Sequence, residues 1–199
     1  RRVVRQAYEQ LQEDGLIQRI RRRGTFVTSR PTLIYEAKHL LNLKAFFQHQ
    51  QFNYGQRILL VEDIQPNHSL IPATFKPHYK ACIRISLVIL LNHYPFALQE
   101  IYYPFPCDLA LLKRILKEDN IPEVLLNLRK PTYMSTQHRL KAINESDIYL
   151  KTLEIQKNET LNFHHISYID EKSTPLLVST IALSGQRNFH HVFVQEITP

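Results

Sequence analysis

Two stretches of the chain repeat one pattern: a β-prone run, a short polar turn, a proline and a second β-prone run. The first is Ile83 to Leu91, the turn around Asn92, His93 and Tyr94, then Pro95 to Tyr103, closed by Pro104 and Pro106; the second is Thr160 to Ile169, Asp170 to Pro175, then Leu176 to Leu183. Runs rich in Val, Ile, Leu and Tyr bounded by turn residues read as antiparallel hairpins. Two matching hairpins suit a pseudo-symmetric sheet with a cleft between its halves. The body is therefore expected to be α+β with a mostly antiparallel sheet.

The pattern elsewhere is mixed. Residues 58–64 and Met134 to Ala142 read as strands, and His190 to Glu196 as a closing strand. Apolar residues at helical spacing mark helices at 108–118, with Asp108 as N-cap, and at 144–153, started by Asn144 or by Ser146 and Asp147. Tyr35 to Gln51 could form another, and Asn127 to Thr132, with Pro131, is a break.

The first 30 residues carry eight arginines against three acids, a net of +5 out of +7 for the 199-residue chain. Val3, Val4, Ala7, Tyr8 and Leu11 follow the helical period, and Asp14-Gly15 ends it, so a helix is expected over residues 1–13. Arg1, Arg2 and Arg5 sit near its N-terminus, where the helix dipole disfavours cations, so a phosphate partner accounts for them better than fold stability does. Leu16 to Ile20, the basic turn Arg21-Arg22-Arg23-Gly24 and Thr25-Phe26-Val27 form a short hairpin. Helix, strand and basic hairpin in that order describe the end of a winged helix-turn-helix.

Composition excludes several classes. At 44% apolar residues, with ten Tyr and ten Phe, the chain is globular rather than disordered. Two cysteines, Cys82 and Cys107, match no zinc or redox spacing, and no apolar run is long enough to span a bilayer. A cytoplasmic protein without membrane attachment, cofactor or metal is expected. The His164-His165 and His190-His191 pairs cannot each chelate one ion, because adjacent strand residues point to opposite faces. Four glycines, no phosphate-binding loop and no nucleophile elbow argue against an enzyme.

The string from Arg1-Arg2-Val3-Val4-Arg5 through Gly15-Leu16-Ile17 to Arg23-Gly24-Thr25-Phe26-Val27 resembles the recognition helix and wing of the GntR superfamily of bacterial transcription regulators. Val3 stands where that family usually has Thr, and Arg22 where it has a wing glycine. The resemblance implies double-stranded DNA as a partner, contacted through Arg1, Arg2, Arg5, Arg22, Arg23, Gly24 and Thr25. It also implies that the family's earlier helices precede Arg1, so that the true N-terminus is missing here. A homodimer is implied too, because such regulators read two half-sites.

The rest resembles, weakly, the UTRA effector domain of the HutC-type branch, a fold related to chorismate lyase. The resemblance lies in Pro95, Leu98-Gln99 and Tyr102-Tyr103-Pro104, then in His165-Ile166-Ser167-Tyr168, Pro175 and Gly185-Gln186-Arg187. It divides the chain into a DNA-binding remnant at 1–28, a linker at 29–53 and an effector-binding and dimerisation domain at 54–199. The residues it implies around a small-molecule effector are Arg84, Leu87, Ile89, Gln99, Tyr102, Arg139 and Tyr168. Arg84 also reads as a cation at the core edge, and Arg187 as structural. Sugar-phosphate-sensing relatives keep two arginines where Leu87 and Ile89 fall, so an apolar or neutral effector, not a phosphosugar, is implied. The chain is thus expected to be an effector-modulated DNA-binding regulator, or else a regulator remnant that keeps only ligand binding or dimerisation.

Overall fold

A computed structural model describes residues 2–13, 17–20, 24–27, 33–36, 42–65, 68–104, 109–129, 134–144, 147–153, 160–184 and 189–192. The expected helix stop at Asp14-Gly15, the wing tip at 21–23, the Asp108 cap, Ser146, Cys107 and 185–187 lie outside these residues. The chain divides into two compact units, residues 1–37 with 187–199, and residues 38–186. The expected divisions were at 28 and 53.

In the smaller unit, helix α1 spans Arg2–Glu13 and is followed by the antiparallel strands β1 (Ile17–Ile20) and β2 (Gly24–Val27). Gly24 pairs with Ile20 at the base of the turn and has φ +110°, a conformation strained for any residue with a Cβ. Strand β3 (Leu33–Glu36) runs parallel to β10 (Phe189–Val192). Both differ from expectation. Tyr35 and Glu36 belong to a strand rather than a helix, and the final strand pairs within this unit instead of closing the main sheet. The cause is a partner more than 150 positions away in the chain, which local pattern cannot reveal.

The larger unit opens with helix α2 (Leu43–His49), whose N-cap Asn42 accepts a hydrogen bond from the Ala45 amide at 2.9 Å. Strands β4 (Tyr54–Ile64), β5 (Cys82–Leu91) and β6 (Tyr94–Pro104) follow. After them come helices α3 (Leu109–Ile115) and α4 (Ile121–Arg129), strand β7 (Ser135–Asn144), helix α5 (Asp147–Leu153), and strands β8 (Thr160–Ile169) and β9 (Pro175–Ser184). Helix α4 was not expected. Pro122 sits in its first turn, where the missing N–H costs nothing, and Ile121, Leu125 and Leu126 bury one side.

The six long strands form one antiparallel sheet in the order β4-β5-β6-β9-β8-β7, two three-strand meanders meeting at β6 and β9. The first hairpin closes through Asn92 and His93, with φ +50° and +70°, the left-handed pair that a two-residue turn demands. The second closes through Asp170, whose carboxylate accepts from the Lys172 and Thr174 amides. The repeat read from the sequence is thus also a spatial one.

Alternation along the strands separates two faces. On one, Ile83, Ile85, Leu87, Ile89 and Ile101 are almost wholly buried. The α4 end reaches that face, with the Arg129 guanidinium 5.5 Å from the centre of the Tyr103 ring. On the other, α5 packs through Leu153 and Tyr149 against Val88, Leu98, Phe163 and Ala182. Ile71 and Phe75 of the segment between β4 and β5 pack there too, on Ile64, Cys82, Tyr102 and Val178.

Candidate functional site

The register aligns one residue from every strand into a row across the second face: Leu60, Ser86, Glu100, Thr180, His165 and Arg139. The row on one side of it includes Tyr102, Val178, Ser167 and Gln137, and the row on the other includes Leu98, Ala182, Phe163 and Lys141. Their members on β6, β9, β8 and β7, Leu98 and Ala182 aside, floor a cavity of about 490 Å³, walled by Tyr149 of α5 and by Leu70, Pro72, Ala73 and Thr74. Its size suits a small molecule.

Charge is graded across the floor. On β6, Glu100 accepts a hydrogen bond from Arg84 Nη2 and a longer one, 3.3 Å, from the Tyr102 hydroxyl. Arg84 also donates through Nη1 to Glu62 at 2.6 Å. Burial works against the Arg84 charge, but the bonds to Glu100 and Glu62 outweigh it and raise the guanidinium pKa further. One arginine thus serves two carboxylates. Its Nε is buried without a hydrogen-bond partner among the described residues.

In the middle of the floor, Thr180 Oγ1 lies 2.8 Å from His165 Nδ1. Burial lowers the His165 pKa and the Arg139 charge lowers it further, so the imidazole is neutral near pH 7. At the far edge, Arg139 and Lys141 alternate on β7, both exposed and facing the same side. Neither has an ion-pair partner among the described residues. Burial, then the Glu100 charge, raises the pKa of Tyr102 and of Tyr149, so both phenols stay protonated donors.

Of the residues the family resemblance pointed to, Tyr102 and Arg139 line the cavity. Arg84 shares their face but is tied to Glu62 and Glu100. Leu87, Ile89, Gln99 and Tyr168 lie on the opposite face and are no more than 3% exposed. Gln99 donates there to Ser179 Oγ at 2.9 Å. The expectation of an apolar lining from Leu87 and Ile89 is therefore corrected: these residues are core, and the cavity floor mixes charged and polar groups with the apolar Val178 and Phe163. The physical reason is the two-residue strand period, which sends odd and even positions of β5 to different faces. Glu100, Thr180, His165, Lys141 and Tyr149 were missed. Parity alone held part of the signal, since Gln99 and Tyr102, three apart on one strand, cannot share a face.

The histidines follow the same alternation. His164 faces away from the cavity, with Nε2 3.0 Å from His138 Nδ1, while His165 faces into it. Among the described residues no group of three or more metal-binding side chains is found.

In the smaller unit, the Arg5 side chain is 79% exposed and its one ion pair among the described residues is with Glu9, one turn on, at 3.2 Å. Gly24 and Thr25 are exposed on β2, and Arg2 lies in α1. Arg1, Arg22 and Arg23 lie outside the described residues.

No protein-family model matches the chain, and no curated protein matches its sequence. Solved structures do match its shape. PhnF from Mycobacterium smegmatis superposes with a TM-score of 0.70 at 14% identity, covering 99% of this chain and 85% of that one. The effector domain of the same protein gives 0.60 at 9% identity over 78% of this chain and 94% of its own. A GntR-family transcriptional regulator from Bacillus cereus gives 0.57 at 12% identity, over 73% and 99%. The chain thus has the fold of GntR-family regulators and their effector domains, α+β with an antiparallel sheet. Among the described residues no helix is long and apolar enough to cross a membrane.

Proposed function

We propose that the chain is part of a cytoplasmic, homodimeric transcription regulator of the GntR family, HutC-type branch, which binds operator DNA under the control of a small molecule. The observation that carries this reading is the combination, in one chain, of an exposed arginine-bearing helix with a short hairpin and a separate antiparallel sheet with a cavity lined by both charged and apolar side chains. The match to PhnF over 99% of the chain supports it. Arg5 is the base-reading candidate: its surface pair with Glu9 contributes little and can be exchanged for DNA. Arg1, Arg2, Arg22, Arg23, Gly24 and Thr25 complete the DNA surface, where phosphate contacts position the protein. Two copies are needed to read two half-sites. No catalytic role is assigned to the cavity.

A second reading is a remnant that only binds ligand or dimerises. Gel-shift titration of the full-length protein separates the two. The regulator reading expects Arg5→Ala to weaken operator binding more than non-operator binding. An unchanged ratio of specific to non-specific affinity rejects Arg5 as the reader, and no DNA binding at all leaves the remnant.

A further inference from the structure

We infer that the cavity binds a small zwitterion whose two charges stand several bonds apart, its anionic group on Arg139 and Lys141 and its ammonium on Glu100. This deepens the effector half of the proposed function and rests on that reading only for its consequence at DNA.

The β7 end is a cation pair awaiting an anion. Arg139 and Lys141 are two positions apart on one face of an edge strand, about 7 Å between backbones, with no ion-pair partner among the described residues. Their mutual repulsion is relieved by one carboxylate or phosphate placed between them, and the arginine fork suits either.

The β6 end has the opposite sign. Arg84 is shared between Glu62 and Glu100, so the three groups together carry one negative charge. Among the described residues Glu100 Oε2 receives only the 3.3 Å contact from Tyr102, which leaves acceptor capacity for an ammonium. Tyr102 and Tyr149 add aromatic surface beside it, which favours a cation. Between the ends the floor is neutral, with the Thr180 and His165 pair flanked by Val178 and Phe163.

Spacing then selects the ligand. Glu100 and Arg139 are three strands apart in one row, about 14 Å between backbones. An α-amino acid, with its charges on adjacent carbons, is too short to meet both, whereas an ω-amino acid or a short peptide is long enough. A dianion of equal length would set a negative group against Glu100, and a diamine would set a positive one against Arg139 and Lys141.

The test is calorimetric titration of the 199-residue chain with glycine, 4-aminobutanoate, 6-aminohexanoate, hexanoate, adipate and hexane-1,6-diamine. The expected result is binding that rises along the amino-acid series, with 6-aminohexanoate at least about tenfold tighter than hexanoate, adipate or the diamine. Lys141→Gln and Glu100→Gln should each weaken it by about tenfold. Lys141 is exposed on an edge strand, so its variant reports on binding even if Glu100→Gln does not fold. Adipate or hexanoate binding as tightly as the zwitterion, affinity unchanged by Lys141→Gln, or no binding by any probe overturns the inference. Gel shifts of the full-length protein stand apart: a zwitterion that binds without altering DNA affinity leaves this inference standing and removes the effector-control half of the proposed function.

Discussion

Glu100 on β6 and Thr180 on β9 face each other at the centre of the sheet, and they occupy equivalent positions, each five residues after the proline at or next to the start of its strand. The pairing around them is reciprocal. Gln99 meets Ile181 as Ile101 meets Ser179, and Leu98 meets Ala182 as Tyr102 meets Val178. A local two-fold axis therefore passes between the two residues, while their chemistry breaks the symmetry, an acid on one side and a hydroxyl on the other. The cavity gradient from Glu100 to Arg139 begins at that break.

Removing Arg84 should be costly. Its side chain is 19% exposed and holds Glu62 and Glu100 together. Arg84→Met leaves two carboxylates facing each other across partly buried surface, and a loss of about 2 kcal/mol in urea unfolding is expected. A change within experimental error would mean that the pair is screened by solvent and contributes little to the fold.

Leu87 and Ile89 are core residues, so Leu87→Ala and Ile89→Ala should each cost about 3 kcal/mol of stability. Neither should alter which small molecules bind at temperatures where the variant is folded. A change in ligand preference without loss of stability would return these positions to the binding surface.

Acid should destabilise the larger unit. Burial lowers the pKa of both His138 and His165 from 6.5, with the Arg139 charge adding to the shift at His165. A histidine whose folded pKa lies below its unfolded one binds its proton more weakly when folded. Its contribution to stability is therefore full above about pH 6.5 and declines as pH falls towards the lower folded value. The melting temperature should drop between pH 7.5 and 5.5, and His165→Gln should flatten that slope. An equal slope in the variant would assign the acid sensitivity elsewhere.

The wing should act through charge alone. In the full-length protein Arg22→Ala or Arg23→Ala should weaken operator and non-operator DNA alike and reduce the salt slope by about 1 for each phosphate that is no longer neutralised. Loss of operator preference with an unchanged salt slope would place base reading in the wing.

Much of this architecture was legible because it is local. Apolar runs on either side of Asn92-His93 and of Asp170 specify two hairpins, and the apolar period of residues 3–11 specifies α1. Helix α4 escaped because Pro122 looks like an interruption until it is seen to occupy a first turn, where proline is tolerated. Strand β3 escaped because its partner, Phe189–Val192, is far along the chain.

The candidate site was legible only in part. Tyr102 and Arg139 were picked out, but with Leu87, Ile89, Gln99 and Tyr168, which face the other way. Local pattern determines that a strand alternates, and so which residues of one strand share a face; it does not determine which face a neighbouring strand will match to it. That match is made by backbone hydrogen bonds between strands, β6 to the distant β9 and β8 to β7 across helix α5, where a slip of one residue would invert every side chain. Hairpins, helix α1 and the basic N-terminal segment follow from the sequence by itself. The row from Glu100 through Thr180 and His165 to Arg139, and the walls that α5 and residues 70–74 raise beside it, exist only once the tertiary register is set.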